Sequence, residues 1–175
     1  RLEKLETLRS AGLDPYPVGF ERSHTAADVR DRHGELEPGA STGDVVTVAG
    51  RLMLHRSFGK LVFLTIEDHT GRIQLFVSKA VVGDDAFAAI KRLDLGDWVG
   101  VHGTVMTTRK GELSVKPESV QLLAKAVRPL PDKWHGLSDV EKRYRQRYLD
   151  LIVSPHTRET FRRRALAVSA IRRWL

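Results

Sequence analysis

The sequence predicts a mainly β fold, a small barrel of five strands with helices before, within and after it. Between residues 44 and 126, apolar and polar residues alternate in several runs with the period of two that is typical of strands. Turns that contain glycine separate these runs. One stretch with helical spacing, at 83–93, lies between the third run and the fourth. These observations predict a β-barrel domain at 44–126.

The residues before the barrel, 1–43, are predicted to form a helix followed by an extended lead-in. Leucines recur near the start at helical spacing, and Gly12 ends this pattern. The prolines of Asp14-Pro15-Tyr16-Pro17 push the residues that precede them out of the helical region. Residues 21–43 are polar and contain several glycines, so we expect them to be irregular.

The five strands are predicted in the order β-β-β-α-β-β. The first runs from Val45 to Arg56 and bends at Gly50, because a glycine within a strand often marks a bend. The others are predicted at 60–67, 72–77, 97–107 and 112–123. A curved first strand and a helix between the third and fourth strands indicate an OB-fold, a Greek-key barrel that often binds oligonucleotides.

The residues after the barrel are interpreted as a linker and the beginning of a further domain. Prolines mark the linker at 127–137, and 138–175 is helical and basic. Phe161 and Trp174 lie on an apolar stripe of the last helix and need cover. We therefore expect 138–175 to be the truncated start of a domain that continues beyond the chain.

The charge of the chain favours a polyanionic partner. Lys and Arg number 29 against 22 Asp and Glu, which gives a net charge of +7 and a pI near 10.0. Nucleic acid is the first expectation and an anionic membrane the second. The absence of cysteine excludes disulfides, thiolate nucleophiles and cysteine-based zinc sites. No phosphate loop, nucleophile elbow or metal-ligand spacing is found, so no catalytic residue, metal or cofactor is predicted within the chain.

Strand alternation assigns three candidate nucleic-acid ligands to the outer face of the second and third strands. These are Phe63, Gln74 and Arg72, on the face that usually carries the ligand in an OB barrel. An aromatic ring stacks on unpaired bases, contributing ~1–3 kcal/mol per base. An amide donates and accepts at a base edge, and a cation suits a phosphate. The alternative is structural: Phe63 packs under a loop, and the other two are solvated strand residues.

Four further candidates lie near the same face. The first strand is expected to contribute Arg51 and His55 on one phase, with Arg56 beside them. Glu112 follows a Lys-Gly turn and adds an acceptor near the barrel mouth. Uracil presents an N3–H donor between two carbonyl acceptors, so a glutamate or glutamine is a suitable partner. Glu112 alone is a weak candidate, because it is equally suited to pairing with a cation of the turn.

Several segments together carry a family pattern. They are 8–12 (LRSAG), 15–17 (PYP), Phe20, 48–53 (VAGRLM), 59–60 (GK), 71–75 (GRIQL) and 111–115 (GELSV). The most specific are 128–137 (RPLPDKWHGL) and 141–152 (EKRYRQRYLDLI). In these segments the chain resembles the N-terminal anticodon-binding region of class II lysine–tRNA ligases. Aspartate and asparagine ligases share the barrel and a shorter Arg-Tyr-Leu-Asp element, so the longer pattern favours the lysine branch.

The resemblance implies a division of labour. The barrel would bind the U-rich anticodon loop of tRNA(Lys), and a following catalytic domain would activate lysine with ATP and Mg²⁺ before esterifying the tRNA. Phe63 would stack on an anticodon base, Gln74 and Glu112 would bind base edges, and Glu112 would read a uracil. His55 or Arg56 would occupy a basic position where family members often have two arginines.

The resemblance also implies properties of the parent protein. The chain stops before the family's first catalytic motif, which builds the dimer interface, so the fragment is expected to be inactive alone. The parent would be a cytoplasmic homodimer, and the fragment would make no membrane contact. One alternative is the same module within a bifunctional, membrane-tethered protein that transfers lysine to phosphatidylglycerol. Another is a free-standing OB-fold that binds single-stranded nucleic acid.

Overall fold

The structure is a computed structural model that describes residues 1–131, 137 and 139–175. The chain divides into two compact units, Arg1–Arg128 and Pro129–Leu175. Much of the predicted linker at 127–137, including the Trp-His-Gly part of its motif, lies outside the described residues.

Five strands of the first unit close into a barrel. Their bounds are β1 Ser41–Phe58, β2 Leu61–Glu67, β3 Arg72–Ser78, β4 Trp98–Thr107 and β5 Leu113–Ala124. Around the barrel they follow the order β1-β2-β3-β5-β4. All neighbours are antiparallel except β3 and β5, which run parallel and pair Gln74 with Ser114 and Leu75 with Val115. This arrangement confirms the predicted five-stranded OB-fold.

The barrel core is built from the inward phase of each strand. In β2 the buried residues are Val62, Leu64 and Ile66, and β3 repeats the pattern with Ile73, Leu75 and Val77. The alternation predicted for these two strands is therefore confirmed. Between β3 and β4 lie two helices, α3 (Lys79–Val82) and α4 (Asp84–Lys91). Helix α4 packs Phe87 and Ile90 against the core.

Two helices precede the barrel, and the second of them was not predicted. Helix α1 (Leu2–Ser10) matches the expected amphipathic helix, whereas Ala26–His33 forms helix α2 within the stretch expected to be irregular. Thr25 and Asp28 form a reciprocal capping box at its start, and Ala26 and Val29 are buried. The helix has few apolar residues, so its polar composition did not predict it. The Thr-x-x-Asp spacing of a capping box was the signal that could have predicted it.

The turn between β2 and β3 holds the N-terminus of α2. Asp68 accepts a hydrogen bond from the backbone of Ala26 at 2.8 Å, and the Thr70 hydroxyl accepts one from Ala27 at 3.0 Å. Burial raises the pKa of Asp68, but the hydrogen bonds from Thr70, Ala26 and Gly71 outweigh it, so the pKa lies below its ordinary value. The lead-in is therefore attached to the barrel through a charged carboxylate.

Replacing Thr25 with alanine is expected to destabilise the chain by about 1 kcal/mol, because the first turn of α2 loses its side-chain acceptor. Urea unfolding of the 175-residue chain measures this effect. Thr7→Ala is the matched control, since Thr7 only bonds back to the carbonyl of Glu3 within exposed α1. Equal unfolding free energies for the two variants would contradict a stabilising role of the cap.

A buried ion pair joins the end of β5 to the turn before β4. Lys125 is 5% exposed and Asp97 is fully buried. The Lys125 ammonium donates to both Asp97 carboxylate oxygens, at 2.9 and 2.8 Å, and to Asp94 at 2.6 Å. Asp97 also accepts from the backbone N–H groups of Asp94 and Ala126, each at 2.8 Å. The Lys125 ammonium and the Asp97 carboxylate are thus hydrogen-bonded to each other away from solvent, while Asp94 remains partly exposed.

The second unit contains three helices, α5 (Val140–Arg145), α6 (Arg147–Val153) and α7 (Pro155–Trp174). Its centre is Asp150, which is fully buried and accepts hydrogen bonds from Arg143, Arg147 and Ser154. Burial raises the pKa of Asp150, but hydrogen bonds from Ser154, Thr157 and Arg143 and the charge of Arg143 leave it below its ordinary value. The Arg-rich motif at 141–152 is therefore organised around one carboxylate.

The predicted apolar stripe of α7 is exposed. Phe161, Leu166 and Trp174 are 39%, 53% and 86% exposed. Over 1–131, 137 and 139–175, no helix has the length and apolar character required to cross a membrane.

Candidate nucleic-acid interface

An aromatic row crosses the outer face of the barrel. Phe63 in β2 lies between its cross-strand partners Arg56 in β1 and Phe76 in β3. The Phe63 and Phe76 ring centroids are 5.3 Å apart with an interplanar angle of 78°. Phe58 meets Phe63 edge to face at 6.0 Å and is 60% exposed. Phe63 is half-buried. Arg56, Phe58, Phe63 and Phe76 are together called the aromatic row.

A β-bulge in β1 changes which of its residues face outward, so that Arg56 lies on the face of Phe63. Between Leu52 and Leu54 the register advances two residues in β1 for one in β2. Directly opposed residues share a face, so Arg56 lies on the face of Phe63, whereas His55 pairs with the core residue Leu64. The expectation that Arg51 and His55 share a phase was therefore wrong, because simple alternation does not include the extra residue.

Arg51 and Arg72 lie in a different cross-strand row from Phe63. Both pair in register with Glu67, which is four residues along β2 from Phe63, roughly 13 Å at the strand rise. Arg72 forms an ion pair with the Glu67 carboxylate. Arg51 donates to the carbonyl of Gly96 at 3.1 Å and lies 5.1 Å from the Trp98 ring centroid. These two arginines are thus separated from the aromatic row.

Burial also affects the pKa of Arg51. Desolvation lowers the pKa of this guanidinium, and the negative charge of Glu67 opposes the shift. Arg72 keeps 57% of its side chain exposed despite its ion pair. Of the two arginines, Arg72 is therefore the more accessible to a ligand.

Gln74 and Glu112 are connected through Ser114 at the parallel junction of β3 and β5. The Gln74 amide donates to the Ser114 hydroxyl at 2.9 Å. That hydroxyl donates to the backbone carbonyl of Glu112 at 3.0 Å. Glu112 itself is exposed at the end of the turn that precedes β5. The Ser114 hydroxyl therefore links the Gln74 amide to the backbone of Glu112, and Gln74 lies two residues along β3 from Phe76 of the aromatic row.

Phe58 and Phe76 of this face, and the buried Ser114, were not selected from the sequence as site residues. Phe76 shares the outward phase of Gln74, so alternation was the signal that pointed to it. Phe58 reaches the row only because of the bulge in β1, and Ser114 contacts Gln74 across a pairing of strands distant in sequence. Within the part of the chain that the structure describes, no group of three or more His, Asp or Glu side chains is suited to hold a metal ion.

Comparisons with known proteins agree with this geometry. Residues 46–123 match the family described as OB-fold nucleic acid binding domain. The whole chain is 57% identical to a lysine–tRNA ligase of a Synechococcus strain and covers 35% of that protein. It is 54% identical to the lysine–tRNA ligases of Thermosynechococcus vestitus and Prochlorococcus marinus, covering 36% of each.

The chain spans about a third of the length of these curated relatives. The similarity nevertheless extends over 100% of the chain, including its second unit. The resemblance drawn from the motifs is therefore confirmed. Residues 46–123 are similar to the OB-fold nucleic acid binding domain family, and the whole chain is similar to part of lysine–tRNA ligases.

Proposed function

We propose that this chain recognises the anticodon loop of tRNA(Lys) as part of a lysine–tRNA ligase. The observation that carries the proposal is the aromatic row with Gln74 two residues along β3 from Phe76, on the face that OB barrels use for single strands. Whole-chain similarity to lysine–tRNA ligases supports the choice of lysine. Recognition is the part of the reaction that this chain's own residues perform.

The roles follow from the chemistry of each side chain. Phe63 stacks on an unpaired base, and its edge-to-face contacts with Phe58 and Phe76 hold the ring in place. Arg56, exposed beside Phe63, neutralises a phosphate. Gln74 and Glu112 bind base edges, and the Glu112 carboxylate accepts the N3–H of a uracil.

The remaining candidates have lesser roles in this proposal. Arg72 is exposed and suits a phosphate at the neighbouring row, whereas Arg51 is more buried and supports the barrel. His55, on the core phase beside Arg56, has a secondary role at the same basic position.

The wider division of the protein is part of the same proposal. Residues 1–43 form the N-terminal helix and lead-in, and residues 44–126 bind the anticodon. Residues 127–137 are the linker to the catalytic domain, which begins at 138–175. The parent protein is a cytoplasmic homodimer that uses ATP and Mg²⁺, and the 175-residue chain has no adenylate-forming activity by itself. The exposed stripe of α7 at Phe161, Leu166 and Trp174 suits contact with the remainder of that domain.

The test compares two RNA hairpins at one salt concentration. The chain is expected to bind a lysine-tRNA anticodon stem-loop roughly tenfold more tightly than the same loop with its central uridine changed to cytidine. Cytosine replaces the N3–H donor of uracil by an acceptor, so an acceptor on the protein loses its partner. Equal affinities that fall together as salt rises would leave only charge-driven binding and would overturn the proposal.

A further inference from the structure

Ser114 lies beneath the proposed binding face and touches no solvent. It is fully buried at the start of β5, where it pairs with Gln74 of β3. The β3–β5 register consists of Gln74 with Ser114 and Leu75 with Val115. A serine hydroxyl at this closing junction contacts two residues that face the ligand, Gln74 through its side chain and Glu112 through its backbone.

In the structure the Ser114 hydroxyl donates its proton to the backbone carbonyl of Glu112. The backbone carbonyl of Glu112 can only accept a hydrogen bond, and it lies 3.0 Å from the Ser114 oxygen. A serine hydroxyl carries one hydrogen, so donating it to this carbonyl leaves the oxygen as an acceptor. The neighbour at 2.9 Å must then be the NH₂ group of Gln74. While the hydroxyl donates to Glu112, a flipped amide would place its oxygen against the Ser114 oxygen.

We propose that Ser114 is a positioning residue that sets the orientation of the Gln74 amide and so selects a base with a hydrogen-bond donor. With its NH₂ group held by Ser114, Gln74 turns its carbonyl oxygen toward the ligand face. That oxygen accepts from a group such as the N3–H of uracil and repels a base that presents an acceptor there. This inference rests on the proposed anticodon recognition and adds a residue that determines its specificity.

The alternative role for Ser114 is packing alone. A hydroxyl that only fills space would affect affinity for every RNA through the stability of the β3–β5 junction. A hydroxyl that orients Gln74 affects only the discrimination between bases, and only while Gln74 is present. The two roles are therefore separable by a double-mutant cycle.

The experiment measures the affinities of the chain for the lysine-tRNA anticodon stem-loop and for loops with each anticodon uridine changed to cytidine in turn. The discrimination ratio at the position that Gln74 reads is compared among wild type, Ser114→Ala, Gln74→Met and the double variant. Ser114→Ala is expected to lower this ratio by about 2- to 10-fold. Gln74→Met is expected to lower it at least as far, and Ser114→Ala in the Gln74→Met background is expected to add nothing.

Thermal unfolding of each variant establishes that it is folded. Ser114→Cys nearly preserves the side-chain volume but offers a weak acceptor, and it replaces Ser114→Ala in the cycle if the alanine variant does not fold. It is expected to lower the same ratio.

Each outcome decides one question. Wild-type discrimination that persists unchanged in a folded Ser114 variant overturns the positioning role and leaves anticodon recognition intact. A Ser114 variant that weakens all loops equally, or whose effect persists in the Gln74→Met background, assigns Ser114 to packing. Absence of discrimination by the wild-type chain overturns the proposed function and this inference together.

Discussion

Replacing Lys125 with methionine is expected to lower the free energy of unfolding by about 3–5 kcal/mol, the effect expected when one partner of a buried pair is removed. Methionine fills a similar space but provides no charge or donor. Asp97 is fully buried and accepts twice from the Lys125 ammonium, so its charge would lose its counter-ion. The backbone N–H groups of Asp94 and Ala126 remain and satisfy only part of the lost hydrogen bonding.

Urea unfolding at neutral pH measures this loss. Lys110→Met is the matched control, because Lys110 lies exposed in the turn before β5. A change of less than about 1 kcal/mol for Lys125→Met, within the range of exposed pairs, would contradict a buried, uncompensated Asp97.

The Lys125 effect is also expected to shrink in acid. Burial raises the pKa of Asp94, but its bonds to Lys125 and Lys4 outweigh it and hold the pKa below its ordinary value of 3.8. A carboxylate with a lowered folded-state pKa contributes stability above 3.8 that is lost as the pH falls through the folded-state pKa. Lys125→Met removes part of the cause, so the unfolding free energies of wild type and variant should converge below that pH.

Replacing Phe63 with alanine is expected to weaken binding of the lysine-tRNA anticodon stem-loop by ~1–3 kcal/mol, or roughly 5- to 150-fold. The ring lies at the centre of the aromatic row, in contact with both Phe58 and Phe76. Truncation removes the stacking surface and also the contacts that hold the neighbouring rings. Fluorescence anisotropy with a labelled stem-loop, at fixed salt, measures the change.

Phe63→Leu separates stacking from packing. Leucine retains apolar contact with the neighbouring rings but has no π face. The unfolding free energy of the Phe63→Leu variant should therefore stay near that of wild type, while its affinity for RNA falls. If both Phe63 variants bind the stem-loop with wild-type affinity, Phe63 has only a packing role. A loss of binding that follows only the loss of stability would lead to the same conclusion.

Local periodicity in the sequence was enough to determine the β2 and β3 faces. Alternation assigned Phe63 and Gln74 outward and Leu64 and Leu75 inward, as the structure confirms. The period of two is reliable because every second residue of a strand points to the same face of the sheet. The turn and strand order likewise predicted the OB barrel, and linear motifs were sufficient to predict the resemblance to lysine–tRNA ligases.

Only the tertiary structure decided the features that depend on contacts between distant residues. The bulge after Leu52 is a matter of register between strands, and it moved Arg56 rather than His55 onto the face of Phe63. Helix α2 lies against the β2–β3 turn, some 42 residues away along the chain. Lys125 meets Asp97 and Ser114 meets Gln74 only because the barrel closes. These contacts depend on the register between paired strands, and the pattern within one strand does not determine that register.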